Sequence, residues 1–287
     1  MQVELIVKML AEFGGFFWSK DGVRTKDSFR TLSSNWREAF MVFLEDYAFA
    51  RQGSSPHYPQ AAAIAVKEYP SKTPDDDFEQ IVWQEFLKQI GAPASGKGAN
   101  VQNNPLAPSF GNKISITALV SRLCDHDYNL VRWAKDGLRK QHVSEISGTL
   151  RGVRGLGSKI TSLFLRDVAT AFEMDELQLE PAKYLQPIDR WTRRGTEALA
   201  MLMRSPHPKG EEECAIIIVK ASIKAGVCPS LVNAGLWVLG AWFAQTEAKF
   251  KDVLVNLDRL CQFLDEQRNN YIAKVKLLDK VMRSYRL

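Results

Sequence analysis

Two side chains in this sequence have the type and the setting to do covalent chemistry, Lys159 and Asp189. Lys159 follows Val153-Arg154-Gly155-Leu156-Gly157-Ser158 and opens Ile160-Thr161-Ser162-Leu163-Phe164-Leu165-Arg166-Asp167, an apolar-faced helical stretch. A neutral lysine amine attacks an electron-poor carbon and forms a Schiff base. Asp189 comes thirty residues later, in Gln186-Pro187-Ile188-Asp189-Arg190-Trp191-Thr192-Arg193-Arg194. A carboxylate stabilises a cation-like centre or activates a nucleophile. The glycines on either side of Leu156 allow positive φ and a close approach to a ligand. First-turn amides have no partner within their helix and favour an anion, so Gly155, Gly157 and Ser158 read as a phosphate seat. An anion seat beside an amine and a carboxylate points to a nucleic acid.

The elements that must position these residues read as helices. Ser33-Ser34-Asn35 is set to cap a helix whose Phe40, Phe43, Leu44 and Tyr47 share one face, stopping at Arg51-Gln52-Gly53-Ser54-Ser55-Pro56. An alanine-rich helix follows Pro56 and Pro59. Asp75 to Asp77 suit the start of the next, with Ile81, Val82, Phe86, Leu87 and Ile90 as its buried face. Residues 91 to 113 form the longest irregular stretch and the candidate mobile loop. Helices resume over 114–123, 130–138 and 143–150, and again over 196–203, 211–225 and 229–243. Ile216 to Val219 fits a strand as well as a helix, but no partner strand is visible. The tail repeats apolar residues seven apart (Phe250, Leu257, Leu264, Tyr271, Leu278, Tyr285), a stripe for packing on the body or for dimerisation. No run alternates at period two, so the fold class is all-α.

Bulk composition narrows the class further. The chain has 287 residues, enough for one large core or two small lobes. The apolar run Leu236 to Ala244 is too short for a bilayer span, and Met1-Gln2-Val3-Glu4-Leu5 lacks the pattern of a signal peptide. The expectation is a monomer in the cytoplasm, associated with the nucleoid and without a membrane partner. Cys124, Cys214, Cys228 and Cys261 are scattered without ligand spacing, as are the four histidines. They are expected to be reduced and buried, with no metal held by side chains and no cofactor. The net charge of +5 suits a polyanionic partner without requiring one.

The run from Val153 to Lys159 resembles a helix-hairpin-helix element. With the Pro-x-Asp segment it is similar to the Gly/Pro-rich loop and catalytic aspartate of the helix-hairpin-helix DNA glycosylase superfamily. Its lyase-active members place a lysine at the position of Lys159; the aspartate falls on Asp189 and a following arginine on Arg194. The chain is most like the archaeal-type 8-oxoguanine DNA glycosylases, through the lysine–aspartate spacing and the stretches Tyr47 to Pro56 and Gly226 to Trp237. Trp191 departs from the histidine of other branches, and the iron–sulfur cysteines of the endonuclease III branch are absent. The resemblance implies a two-lobed helical glycosylase fold with the active site between the lobes. One lobe is expected from 1–50 plus 205–287. The other, 51–204, carries the helix-hairpin-helix at about 143–171 and the catalytic segment 186–194. A monovalent cation on hairpin backbone carbonyls is implied too.

Base excision breaks an N-glycosidic bond through a cation-like sugar. Asp189 would stabilise that sugar, and Lys159 would attack C1′ and permit elimination of the 3′ phosphate. A first-turn, partly desolvated position favours the neutral amine. Double-stranded DNA containing a modified base is the expected partner, and the base must be flipped out. Gln52 is the candidate wedge; His57, Tyr58, Trp191 and Trp237 are candidates for the base pocket. Arg154, Gly155, Gly157, Ser158, Arg190 and Arg194 are candidates for phosphate contact. Plainer roles stay open: Lys159 as a surface lysine, Asp189 as a helix cap, His57 as a structural residue, Trp237 as core. Function alternatives are also open. The base could be 8-oxoguanine or a bulky modified cytosine of phage DNA, the latter making a monofunctional defence enzyme. A non-catalytic DNA-gripping module would need neither Lys159 nor Asp189.

Overall fold

The computed structural model describes residues 2–17, 26–49, 57–174, 182–254, 256–267 and 269–270. In chain order its helices are α1 (Gln2–Phe17), α2 (Lys26–Thr31), α3 (Trp36–Phe43), α4 (Tyr58–Lys67), α5 (Phe78–Gln89), α6 (Ile116–Ser121), α7 (Leu130–Arg139), α8 (Val143–Gly152), α9 (Ser158–Ala171), α10 (Arg190–Leu202), α11 (Glu211–Ala225), α12 (Pro229–Val238) and α13 (Glu247–Val253). Among the described residues there is no strand, only the isolated bridges Phe110–Lys113 and Ile114–Val153. The protein is all-α. Ile216 to Val219 lies within α11 and is helical. No single helix among the described residues is long and apolar enough to cross a membrane.

The chain divides into two compact units, Met1–Phe17 with Ile188–Leu287, and Trp18–Pro187. The expected joins near 50 and 204 fall inside units instead. The reason is packing: α3 lies against α4, and α10 against α11, α12 and α13, so neither pair of neighbours separates.

In the unit of residues 18–187, α9 is the helix around which the others gather, packing on α2, α7 and α8. Its Phe164 meets Phe43 edge-on at 4.9 Å and Tyr47 at 5.3 Å. Each such buried aromatic contributes about 1.5–3 kcal/mol through area alone. Of the expected Ser33-Ser34-Asn35 cap, it is Asn35 that caps α3, accepting from the amides of Arg37 and Glu38 at 3.1 and 3.3 Å. On α5, Val82, Phe86 and Leu87 are buried, but Ile81 is exposed. The stretch 91–113 is irregular yet packed: Ala99, Leu106 and Ala107 are fully buried. Asn104 organises it, donating to the Ala99 carbonyl at 3.0 Å and accepting from the Leu106 amide at 3.0 Å.

In the unit of residues 1–17 and 188–287, α1 runs against α12 at backbone contact. A Cβ on Gly14 would meet the Leu231 carbonyl oxygen at 1.9 Å, and one on Gly235 the Leu10 oxygen at 1.8 Å. Ile6, Leu10, Ile218, Leu236, Leu239 and Phe250 form its core. The tail stripe enters that core through Phe250, Leu254, Leu257 and Leu264. Tyr271, Leu278 and Tyr285 lie outside the described residues. Cys214 is buried and Cys228 half-buried, while Cys124 and Cys261 are exposed, contrary to expectation.

Candidate nucleic-acid interface

The unit of residues 18–187 carries the turn 153–157 between α8 and α9. Helix α8 ends where Val153 becomes extended (ψ 140°) and pairs with Ile114. The Arg154 amide donates to the Ile114 carbonyl at 2.9 Å, and the Leu156 amide closes back on Val153 at 3.3 Å. Gly155 takes φ +72°, the left-handed conformation its sequence predicts. Gly157 does not: it is extended, with φ −97° and ψ 177°, and caps α9 without a side chain. A Cβ added to Gly157 meets nothing within 4 Å. Neither strain nor crowding within the protein therefore requires glycine there. Keeping that position bare leaves the helix start open to something from outside.

Lys159 stands in the first turn of α9, exposed, and among the described residues it makes no hydrogen bond or ion pair. The expected desolvation is absent. Phe164, Leu165 and Val168 turn the buried face of α9 inward and leave Lys159 on the other side. Ser158 begins the helix and is half-buried.

Arg154 overturns its expected role. Only 8% exposed, it donates to the carbonyls of Val101 at 3.2 Å and Pro108 at 3.0 Å. A guanidinium so committed is not available to phosphate; it clamps the 91–113 stretch to the turn, and its buried Nε has no partner among the described residues. A second buried group went unread in the sequence. The Tyr47 hydroxyl donates to Asp167 Oδ2 at 2.7 Å, and Arg166 pairs with Oδ1 at 3.1 Å. A charged pair inside the apolar run of α9 was the available signal. It ties the π-helical turn Leu44–Ala48 to α9.

Carboxylates are missing from the sequence on either side of the turn. No Asp or Glu stands between Phe86 and Cys124, or between Ile146 and Arg166. Lys113, Arg151 and Lys159 are exposed there.

Asp189 belongs to the other unit, at the start of α10. Asp189 forms a capping box: its Oδ1 accepts from the amides of Trp191 and Thr192, both at 2.9 Å, and Thr192 Oγ1 accepts from the Asp189 amide at 2.6 Å. The cap occupies Oδ1 alone. Among the described residues Oδ2 accepts no hydrogen bond, so one oxygen is fixed and the other presented. Capping and chemistry are thus compatible in one carboxylate.

The flanking residues divide. Arg190 is exposed, its guanidinium 4.7 Å from the Trp191 ring centroid. Arg194 instead pairs with Glu197 at 2.9 Å and Glu247 at 2.8 Å, and these bonds push its pKa up. It belongs to an internal network that Lys251 joins through Glu197 at 3.1 Å, not to a phosphate. Trp191 is core: it rests on Gly240, where a Cβ would meet its ring at 2.7 Å, and meets Phe250 edge-on at 5.6 Å. Trp237 is half-buried, tilted against Trp242 at 5.8 Å. In the unit of residues 18–187, His57 is exposed. Tyr58 packs on Phe86 and Phe49 and donates its hydroxyl to the Gly98 carbonyl at 3.0 Å. Gln52 lies outside the described residues. Among the described residues, no group of His, Cys, Asp and Glu is placed to hold a metal ion.

No family model, curated protein or solved structure matches this chain.

Proposed function

We propose that this protein is a DNA glycosylase that removes a modified base from duplex DNA, with Lys159 as nucleophile and Asp189 as the carboxylate that stabilises the sugar cation. The observation that carries the reading is the start of α9. An exposed amine without a partner among the described residues follows a bare, uncrowded helix cap, in a stretch of sequence without Asp or Glu between Ile146 and Arg166. Phosphate on the first-turn amides would bring the sugar of the same nucleotide toward the adjacent amine. The Lys159 nitrogen then attacks C1′, and the glycosidic electron pair leaves with the base, which takes up a proton. The imine that follows permits β-elimination, which breaks the C3′–O bond. Asp189 Oδ2, the oxygen that capping leaves presented, offers negative charge to the cation-like sugar.

The resemblance of Val153–Lys159 and Pro187–Asp189 to the helix-hairpin-helix glycosylases supports the same chemistry. It also supports a two-lobed glycosylase fold, a helix-hairpin-helix motif and 8-oxoguanine as the base. The test is a panel of duplexes carrying 8-oxoguanine, other oxidised or alkylated bases and bulky modified cytosines, scored for abasic sites and for adducts trapped by borohydride. Release of one base together with a trapped adduct is expected. Binding to duplex without release of any base would leave a non-catalytic DNA-gripping module in its place.

A further inference from the structure

Phe110 is the most exposed large apolar side chain among the described residues, at 81%. An aromatic ring held in water costs roughly the area term that burial would return, so its position is worth explaining. It stands at the tip of a tight turn, Phe110-Gly111-Asn112-Lys113. The Phe110 amide donates to the Lys113 carbonyl at 2.9 Å and the Lys113 amide back to Phe110 at 3.3 Å. Gly111 takes φ +59° at the first central position, where two-residue hairpin loops select glycine.

This turn is anchored on every side. Before it, the Ser109 amide and hydroxyl donate to Glu79 Oε1 at 2.8 and 3.0 Å. The Pro108 carbonyl is held by the buried guanidinium of Arg154. After it, Lys113 Nζ donates to the Arg151 carbonyl at 2.6 Å, and Ile114 pairs with Val153. Two of these anchors are residues of the 153–157 turn itself. Chain geometry keeps the Phe110 backbone within roughly 20 Å of Gly155, about six base steps along one strand. The protein therefore presents an exposed ring on a hydrogen-bonded mount tied to the 153–157 turn, in a stretch of sequence without carboxylates, the neighbouring Glu79 being engaged by Ser109 and Ser115.

We propose that Phe110 is a wedge that enters the base stack of duplex DNA gripped by the Gly155–Lys159 turn. Apolar side chains on tight turns unstack base steps in this way, and a ring stacks on any base. The proposal rests on the reading of that turn as a DNA-phosphate seat, but not on excision. It adds a contact distinct from Gln52.

The test uses the full chain and a duplex with 2-aminopurine beside a tetrahydrofuran abasic analogue. At saturation the wild type should raise 2-aminopurine fluorescence, as unstacking requires, and Phe110→Leu should keep that rise. Phe110→Ala should bind roughly 5- to 100-fold more weakly and lose the rise at saturation; its ring is exposed, so its helical circular dichroism should be unchanged. An equal rise in Phe110→Ala, no rise in the bound wild type, or no duplex binding at all would overturn the wedge. Running the excision panel on the same proteins separates the two proposals. Unstacking without base release sinks the glycosylase and keeps the wedge; unaltered release and fluorescence in Phe110→Ala does the reverse.

Discussion

At the scale of single residues, Lys159 and Asp189 have different attachments to the fold, and substitution separates their roles. Lys159 is exposed and makes no hydrogen bond or ion pair among the described residues, so Lys159→Gln should leave stability within about 0.5 kcal/mol. It should abolish the borohydride-trapped adduct. Base release that stays at the wild-type rate would show that water, not this amine, is the nucleophile. Asp189 needs a subtler change. Asparagine caps helices as well as aspartate does, so Asp189→Asn should keep the capping box and lose only the charge. Base release should fall about 100- to 10,000-fold with duplex affinity retained, measured by single-turnover excision and by anisotropy. Asp189→Ala would confound the two, since loss of the cap alone costs about 0.5–2 kcal/mol.

Cys214 makes a prediction of another kind. Burial pushes its thiol up to about 11, so the folded chain holds a proton that the unfolded chain begins to lose near pH 9. The stabilising effect of that bound proton is present below pH 9 and lost as the pH rises toward 11. Over this window the wild type should lose about 1.4 kcal/mol per pH unit relative to Cys214→Ala. Paired urea midpoints at pH 8, 9 and 10 would show it; a constant gap would mean that the thiol titrates normally.

At the scale of elements, the turn before α9 uses its two glycines for different reasons. Gly155 answers to the backbone: at φ +72°, Gly155→Ala should cost about 1–2 kcal/mol of stability. Gly157 answers to nothing within the protein, because its conformation suits any residue and its Cβ position is empty. Gly157→Ala should therefore melt like the wild type while binding duplex more weakly at every sequence. Unchanged binding would mean that no backbone or phosphate approaches the helix start. The motif was legible in the sequence as one piece, Gly-x-Gly before a helix. That its halves do separate work was not, because φ and the space around a Cβ depend on where α8 delivers the chain.

At the scale of the whole molecule, charge is distributed more selectively than a net +5 suggests. Arg190 is exposed, whereas Arg194, four residues on, is spent on Glu197 and Glu247. Arg190→Ala should lower the slope of log affinity against log salt by about 1, the signature of one lost phosphate contact. Arg194→Ala should leave that slope unchanged and lower stability instead. A reversed pattern in a salt titration of duplex binding would return Arg194 to the interface. The all-α class, the capped start of α3 and the bounds of α11 followed directly from periodicity and caps. The unit boundaries did not, since the helix expected after Ser33-Ser34-Asn35 and the one over 196–203 read the same whichever core they join.

What this chain carries in its sequence alone is local: helical periodicity, a Ser33-Ser34-Asn35 cap, a Gly-x-Gly turn, a lysine after it and an aspartate in a Pro-initiated segment. These are settled by neighbours a few residues apart, where backbone conformation and capping are decided. Tertiary structure decided which side chains stay available. It buried Arg154 against Val101 and Pro108, spent Arg194 on two glutamates and set Trp191 on Gly240, while leaving Lys159 and Phe110 in solvent. Side-chain availability is set by partners tens of residues away, and only the packed chain brings those partners together.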